Sequence, residues 1–325
     1  MNETGLRILV TRRWPAAAER YLAERYDATF NTDDVPLAQQ ALSQAFDDYD
    51  VICPTVSDKI DAAVIGDAPR RTRLLANFGV GFDHIDIQAC EKAGVMVTNT
   101  PGVLTDATAD LAMTLMLMAA RRAGEGEREV RAGKWTGWRP THLMGRQLSG
   151  KTLGLIGFGR IAQATAKRAH HGFGMEILYY SRSAAPKDLE RNLDAKRIAS
   201  LEELLHASDV ISLHVPGGVE TQNMIGAPEI ASMKPDSILI NTARGGVLDH
   251  DALAAALKSG AIRAAGLDVY PEEPKIPEGL TELENVVLLP HLGSATEETR
   301  EAMGQRAAAN VDAFAAGAPL PDRIV

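Results

Sequence analysis

Apolar positions along the chain fall into short runs, each followed by a stretch whose apolar residues recur at helical spacing. In the first third, RILVTR (Arg7–Arg12), DVICPT (Asp50–Thr55), TRLLANFG (Thr72–Gly79) and VMVTNT (Val95–Thr100) predict strands. Between them, PAAAERYLAERY, PLAQQALSQAF and IDIQACEKAG predict helices. Strands alternating with helices imply parallel pairing through crossover connections. The alternation restarts after Ser149-Gly150-Lys151, with TLGLIGFG as a strand, RIAQATAKRAHHGF as a helix and EILYYS as a strand. DVISLHVP, SILINTARG, IRAAGLDV and NVVLLP follow, each after a helical stretch such as SLEELLHA or DALAAALKSG. The fold class is therefore α/β, with two doubly wound parallel-sheet domains in tandem. The last helix, TEETREAMGQRAAANVDAFAAG, has no strand after it and must pack on a domain already built. No low-complexity linker separates the two domains, so they are expected to adjoin closely around a cleft.

The longest apolar run, LAMTLMLMAA (Leu111–Ala120), is too short for a membrane span, which needs ~20 residues. TDATADLA supplies its N-terminal signals, and Arg121 and Arg122 suit its last turn. A helix apolar all round must be covered on every side, at the centre of a domain or against a second subunit, and a subunit interface, hence a homodimer, is the expectation. With 325 residues the chain can build two domains, and 45% apolar with 24% charged residues is an ordinary globular balance. A formal charge of −9 argues against nucleic acid or an anionic membrane as the main partner, since both require a basic surface, and leaves room only for a local basic site. The start, MNETGLRILVTRRW, has no basic segment leading into an apolar stretch, so a cytoplasmic protein is expected. Cys53 and Cys90 provide neither a disulfide framework nor a metal cluster and read as reduced core thiols.

Gly157-Phe158-Gly159-Arg160-Ile161-Ala162 follows a strand and opens a helix, the setting in which a glycine-rich loop binds a dinucleotide pyrophosphate. Gly157 permits the tight turn and Gly159 the close approach of phosphate to backbone amides. Ala162 is small enough for helix–strand packing. The helix N-terminus turns its unpaired N–H groups and positive dipole end toward the phosphates. The second strand ends in Tyr179-Tyr180-Ser181-Arg182-Ser183, where an acidic residue would accept the ribose hydroxyls and repel a 2′-phosphate. Ser181 removes that repulsion and Arg182 offers a fork of donors, so NADPH is expected over NADH, with NAD(H) a poorer substitute.

Three polar side chains sit just after strands of the second domain: Arg244 in NTARGGVLD, Glu273 in LDVYPEEP and His291 in LLPHLGSAT. Ligands of open α/β sheets bind at the carboxyl ends of the strands, so all three could converge on one site.

Together with the glycine loop, these motifs resemble the D-isomer-specific 2-hydroxyacid dehydrogenase family over essentially the whole chain. The resemblance rests on NFGVGFDHID, TNTPGVLTDATADLA, GLIGFGRIAQ, ISLHVP, INTARGGVLD, GLDVYPEEP and PHLGSAT, in that order. Within the family the chain looks most like the glyoxylate/hydroxypyruvate reductases, through TDATADLA, GKWTGWRP and YYSRS. The resemblance implies a Rossmann-type cofactor domain, residues 100–289, inserted into a flavodoxin-like substrate domain, residues 1–99 plus 290–325. It implies hinge motion at the two crossings. It places the family's catalytic arginine on Arg244, its glutamate on Glu273 and its acid–base histidine on His291. Their chemistry suits these roles: a permanent guanidinium for carboxylate and carbonyl oxygens, an imidazole that titrates near neutrality, and a carboxylate to favour the imidazolium.

The resemblance also sets the backbone amides of Val80 and Gly81 against the substrate carboxylate, and Trp138 against the active site of a partner subunit. Thr108, Asn241, Thr242, Asp268 and Gly293 would line the nicotinamide side, with Val215, Pro216, Thr221 and Ala243 completing the cofactor site. Formate dehydrogenases share the fold but pair the histidine with glutamine, which Glu273 contradicts. Phosphonate and phosphoglycerate dehydrogenases keep the arginine–glutamate–histidine set; the latter usually carry an acidic cofactor residue, which Tyr179–Ser183 lacks, and many have an extra C-terminal domain, which is not expected here. A redox-sensing corepressor on the same scaffold would carry long disordered tails. The expectation is an oxidoreductase that takes glyoxylate or hydroxypyruvate to glycolate or D-glycerate, with a D-2-hydroxyacid dehydrogenase of other substrate size as the alternative.

Overall fold

Apart from two edge strands, the strands form in the apolar runs. The computed structural model describes residues 5–67 and 69–325. Five strands, β1 (Arg7–Val10), β2 (Asp27–Phe30), β3 (Val51–Cys53), β4 (Leu74–Ala76) and β5 (Met96–Thr98), form one parallel sheet in the order β2-β1-β3-β4-β5. Seven more form a second parallel sheet: β6 (Thr152–Ile156), β7 (Glu176–Tyr180), β8 (Ala195–Arg197), β9 (Val210–Leu213), β10 (Ile238–Asn241), β11 (Ala264–Leu267) and β12 (Val286–Leu288). Its order is β12-β11-β10-β9-β6-β7-β8, all parallel. The central strands β9, β10 and β11 are buried along their whole length, as expected where helices cover both faces. β2 and β8 are edge strands with polar, largely exposed sequences (DATF and AKR), and hydrophobic patterning does not reveal them.

The chain divides into two compact units, one of residues up to Leu104 together with Ser294–Val325, the other Thr105–Gly293. In the first, the final helix, Glu297–Ala315, packs on the helix Ala16–Arg25 and on β4. The hydroxyls of Tyr21 and Tyr26 both donate to the Asp312 carboxylate, at 2.6 and 2.7 Å, fixing that contact with two charge-assisted bonds. The last residues then return to β5, where Ile324 N donates to Val97 O at 2.8 Å and Val97 N to Val325 O at 3.1 Å.

In the second unit one face of the apolar helix Thr105–Arg121 is covered by its own unit: Ala112, Met113, Leu115, Met116, Ala119 and Ala120 are buried there. They pack on the helix Arg160–Phe173 and on β10, β11 and β12. The Arg168 guanidinium bridges to Asp106 (2.9 Å) and Asp110 (2.5 Å), tying the two helices together. Leu117 is the large apolar residue of this helix left exposed, at 37%. This face of the helix is part of a domain core, because a sheet and a neighbouring helix cover it. Cys53 and Cys90 are free and buried, and burial raises both thiols well above their ordinary range. Among the described residues no helix is long and apolar enough to cross a membrane.

Candidate active site

The carboxyl ends of β10, β11 and β12 carry the three polar side chains singled out in the sequence. β10 ends at Asn241, whose side chain folds back on its own loop: Oδ1 accepts from Ala243 N at 3.0 Å, and Nδ2 donates to Arg244 O at 2.9 Å. Arg244 donates from Nη1 to Ala243 O at 2.8 Å and precedes the short turn Gly245–Val247. Gly245 is pressed against the neighbouring loop, where a Cβ would stand 1.9 Å from the Tyr270 carbonyl carbon and 2.4 Å from Pro271 N. Only glycine permits that approach. The loop bearing Arg244 is thereby joined to the loop bearing Glu273.

Glu273 is held at both carboxylate oxygens. Oε1 accepts from Tyr270 N at 3.0 Å, and Oε2 lies 2.7 Å from His291 Nδ1. Tyr270 extends the support by donating its hydroxyl to Leu289 O at 2.9 Å, just past β12. His291 has φ +55, a left-handed conformation that costs a non-glycine residue about 1 kcal/mol and needs outside support. Asp268 supplies it, since His291 N donates to the Asp268 carbonyl at 2.9 Å. The next two amides, Leu292 and Gly293, donate to the Asp268 carboxylate at 2.7 and 2.8 Å. His291 therefore presents Nε2, the ring nitrogen not engaged by Glu273.

Burial raises the Glu273 carboxyl, but the hydrogen bond and charge of His291, the Tyr270 amide and the charge of Arg244 outweigh it, leaving the group below the usual carboxylate range. Burial pushes Asp268 up to about 6, against the pull of the Leu292 and Gly293 amides and of His291. An ionised carboxylate on Nδ1, a permanent cation nearby and a clamped histidine can bind a small anion and move a proton at one atom.

β6 leads into the glycine loop. Gly157 has φ +87, and a Cβ there would stand 2.6 Å from His214 O, so the turn needs glycine on two counts. Phe158 turns inward and stacks on Tyr179, with ring centroids 4.0 Å apart. At Gly159, which caps the helix Arg160–Phe173, a built Cβ meets nothing within 4 Å. Open space over a helix N-terminus is the cradle a pyrophosphate requires. Exposed Arg160 and half-buried Ile161 begin the helix and leave its first amides toward that space. Ser181 and the exposed Arg182 and Ser183 follow β7 on the same rim. Val215, Pro216 and Thr221 follow β9, where the Thr221 hydroxyl closes the loop by donating to Pro216 O at 2.7 Å.

Gly293 lies against Asp268 and Thr108, its built Cβ 3.4 Å from both side chains. The Thr242 hydroxyl is buried with no partner among the described residues, a group suited to a polar ligand atom. The open glycine-loop cradle and this hydroxyl fit a nicotinamide dinucleotide. In the other unit, the carbonyls of Gly79 and Gly81 accept from Asn77 Nδ2 (3.1 and 3.0 Å) and that of Val80 from Asn99 Nδ2 (2.9 Å). Trp138 lies on the surface, 82% exposed, and Trp135 is 55% exposed.

The second unit thus gathers Arg244, Glu273, His291, Asp268 and Gly293, with the glycine loop on the same sheet edge. Sequence reasoning missed the Asp268 clamp on the histidine's loop, whose signal would have been an acid just after β11. The close approach of the His214 carbonyl to Gly157 and the edge strand β8 were likewise not legible.

Comparisons with known proteins agree. The profile of the D-isomer specific 2-hydroxyacid dehydrogenase family, NAD binding domain, matches residues 113–293. The chain is 46% identical over 323 residues to the glyoxylate reductase of Thermococcus litoralis, covering 98% of this chain and 96% of that one. It superposes with a TM-score of 0.86 on the crystal structure of a glyoxylate reductase from Paecilomyes thermophila, at 32% identity and 98% of both chains. An NADPH-dependent glyoxylate/hydroxypyruvate reductase from Sinorhizobium meliloti, crystallised with NADP and malonate, gives 0.87 at 32% identity, covering 98% of this chain and 97% of that one.

Proposed function

The chain belongs to the D-isomer specific 2-hydroxyacid dehydrogenase family, as an NAD(P)-dependent 2-keto acid reductase of glyoxylate reductase type, and on that premise we propose that it reduces glyoxylate and hydroxypyruvate, prefers NADPH, and uses His291 as general acid. The observation that carries this reading is the 2.7 Å contact between His291 Nδ1 and Glu273 Oε2. An anionic partner on one ring nitrogen fixes the ring and the direction in which the other nitrogen points.

In this reading the Arg244 guanidinium holds the carboxylate of the 2-keto acid and polarises the carbonyl oxygen beside it. In the first unit the amides of Val80 and Gly81 make no hydrogen bond among the described residues, which suits them to an anionic group. The cofactor, when bound, supplies the hydride that reduces the carbonyl carbon. His291 delivers a proton from Nε2 to the carbonyl oxygen, and Glu273 stabilises the imidazolium before transfer. In the reverse direction His291 accepts the hydroxyl proton. Asp268 keeps the histidine in its strained conformation throughout.

The cofactor would lie along the glycine loop, with Gly157, Phe158, Gly159, Arg160 and Ile161 offering backbone to the pyrophosphate. Thr108, Asn241, Thr242, Asp268 and Gly293 would line its nicotinamide side, with Val215, Pro216, Thr221 and Ala243 completing the cofactor site. The turn Ser181–Ser183 carries no acid, which favours a 2′-phosphate over a bare ribose. Replacing Ser181 with Asp is expected to move the ratio of kcat/KM values ~10- to 100-fold toward NADH, the worth of a hydrogen bond to a charged group.

Leu117, Val130, Trp135, Trp138 and Met144 are exposed apolar residues on one stretch of the second unit. They support a homodimer through this stretch, in which Trp138 would reach the partner's site; light scattering tests the state. A matrix of several 2-keto acids against NADPH and NADH, read as specificity constants at 340 nm, tests the proposal as a whole. No turnover of either named substrate, or equal use of both cofactors, would refute the corresponding part.

A further inference from the structure

The turn after β7 is held from three directions. Tyr179 accepts from Ala185 N at 2.9 Å and donates to Glu190 Oε1 at 2.5 Å. Ser181 donates to the Ser183 carbonyl within the turn. From the edge strand β8, Arg197 Nη2 donates to Ser181 O at 2.8 Å and to Arg182 O at 2.9 Å. These two bonds use one nitrogen of the guanidinium. Nε and Nη1 of Arg197 take no hydrogen bond among the described residues, and the side chain is exposed.

Arg182 contrasts with it. Its guanidinium reaches Glu220 Oε2 at 3.5 Å, with the two side chains 87% and 86% exposed. Such a pair is weak, and Arg182 is easily redirected. Arg197 is fixed by the backbone it holds. Backbone carbonyls carry partial negative charge, and two of them at the end of β7 would repel a phosphate. Arg197 neutralises both and still has donors to offer a phosphate oxygen, in the planar geometry that suits one.

We propose that Arg197 is a specificity-determining residue for the cofactor's 2′-phosphate, capping the carbonyls of Ser181 and Arg182 and adding a fixed positive charge to the mobile one of Arg182. This rests on the NADPH preference proposed above. The sequence gives no hint of it, because Arg197 lies well after the motif and on a strand that has no apolar run.

Titration calorimetry with adenosine 2′,5′-bisphosphate and with 5′-AMP tests the inference without turnover. Wild type is expected to bind the bisphosphate at least ~10-fold more tightly. In Arg197→Met the bisphosphate should weaken by ~10-fold or more relative to 5′-AMP, and Arg197→Lys, which keeps the charge, should fall between. Equal weakening of both probes by Arg197→Met would make the residue a brace for the turn alone and overturn the proposal, as would no change. If wild type and Arg182→Met alike fail to distinguish the probes, the NADPH reading itself falls, and this inference with it.

Discussion

Two histidines follow strands of the same sheet, and they do opposite things. His214 comes directly after β9, His291 three residues past the end of β12. His214 donates its backbone N–H to Ile156 O at 2.7 Å, its Nε2 meets the Ser212 hydroxyl at 2.9 Å, and desolvation of its ring lowers it to about 4. His291 faces a carboxylate at 2.7 Å and holds a left-handed backbone. Burial keeps the His214 imidazole uncharged, and the residue serves as scaffolding under the glycine loop. The carboxylate on Nδ1 of His291 orients that ring and leaves Nε2 to exchange a proton. The residue type and its place after a strand do not decide the role; the surroundings of the ring do.

That contrast can be broken in four ways, from the largest expected effect to the smallest. His291→Ala should lower kcat by ~10²–10⁴, the usual loss of a general acid, with little change in melting temperature. Full turnover would remove His291 from the chemistry. Glu273→Gln should lower kcat by ~10- to 100-fold, because a hydrogen bond to a charged group is worth ~1.5–3 kcal/mol. A loss confined to KM would instead mean that Glu273 acts only on binding.

His214→Ala should do the reverse of His291→Ala: it leaves the Ser212 hydroxyl without its partner, costing ~1–3 kcal/mol of stability, with the defect in cofactor KM larger than that in kcat. A variant as stable as wild type would contradict the scaffolding role. The smallest effect is pH-dependent. The unfolded chain protonates His214 near 6.5 and the folded chain near 4, so the fold loses stability as pH falls through that window, by at most ~1.4 kcal/mol per pH unit. His214→Gln cannot protonate, so its stability deficit relative to wild type should shrink between pH 7 and pH 5 in denaturant titrations. Parallel curves would show that the ring is already accessible to protons.

Much of this was legible from residues alone. Mostly apolar strand sequences such as ILIN and VISL announce a sheet covered on both faces, and GFG before an amphipathic helix announces the phosphate loop. The helix Thr105–Arg121 was legible as a helix but not in its surroundings, since an all-apolar surface says that it is covered and not by what. β8 was invisible because Lys196 and Arg197 look like loop, and its membership of the sheet depends on backbone pairing with β7. The clamp of Asp268 on Leu292 and Gly293 joins groups distant in the chain, and no local spacing encodes it.

The contact at Gly245 has a practical consequence for anyone redesigning this pocket. Because the backbone of Tyr270 and Pro271 occupies the place of any side chain there, saturation mutagenesis at 245 should return glycine alone. The guanidinium and the glutamate are in effect mounted on one rigid bracket. A broader substrate range must then be sought by altering what surrounds that bracket, since bending it would displace both groups at once.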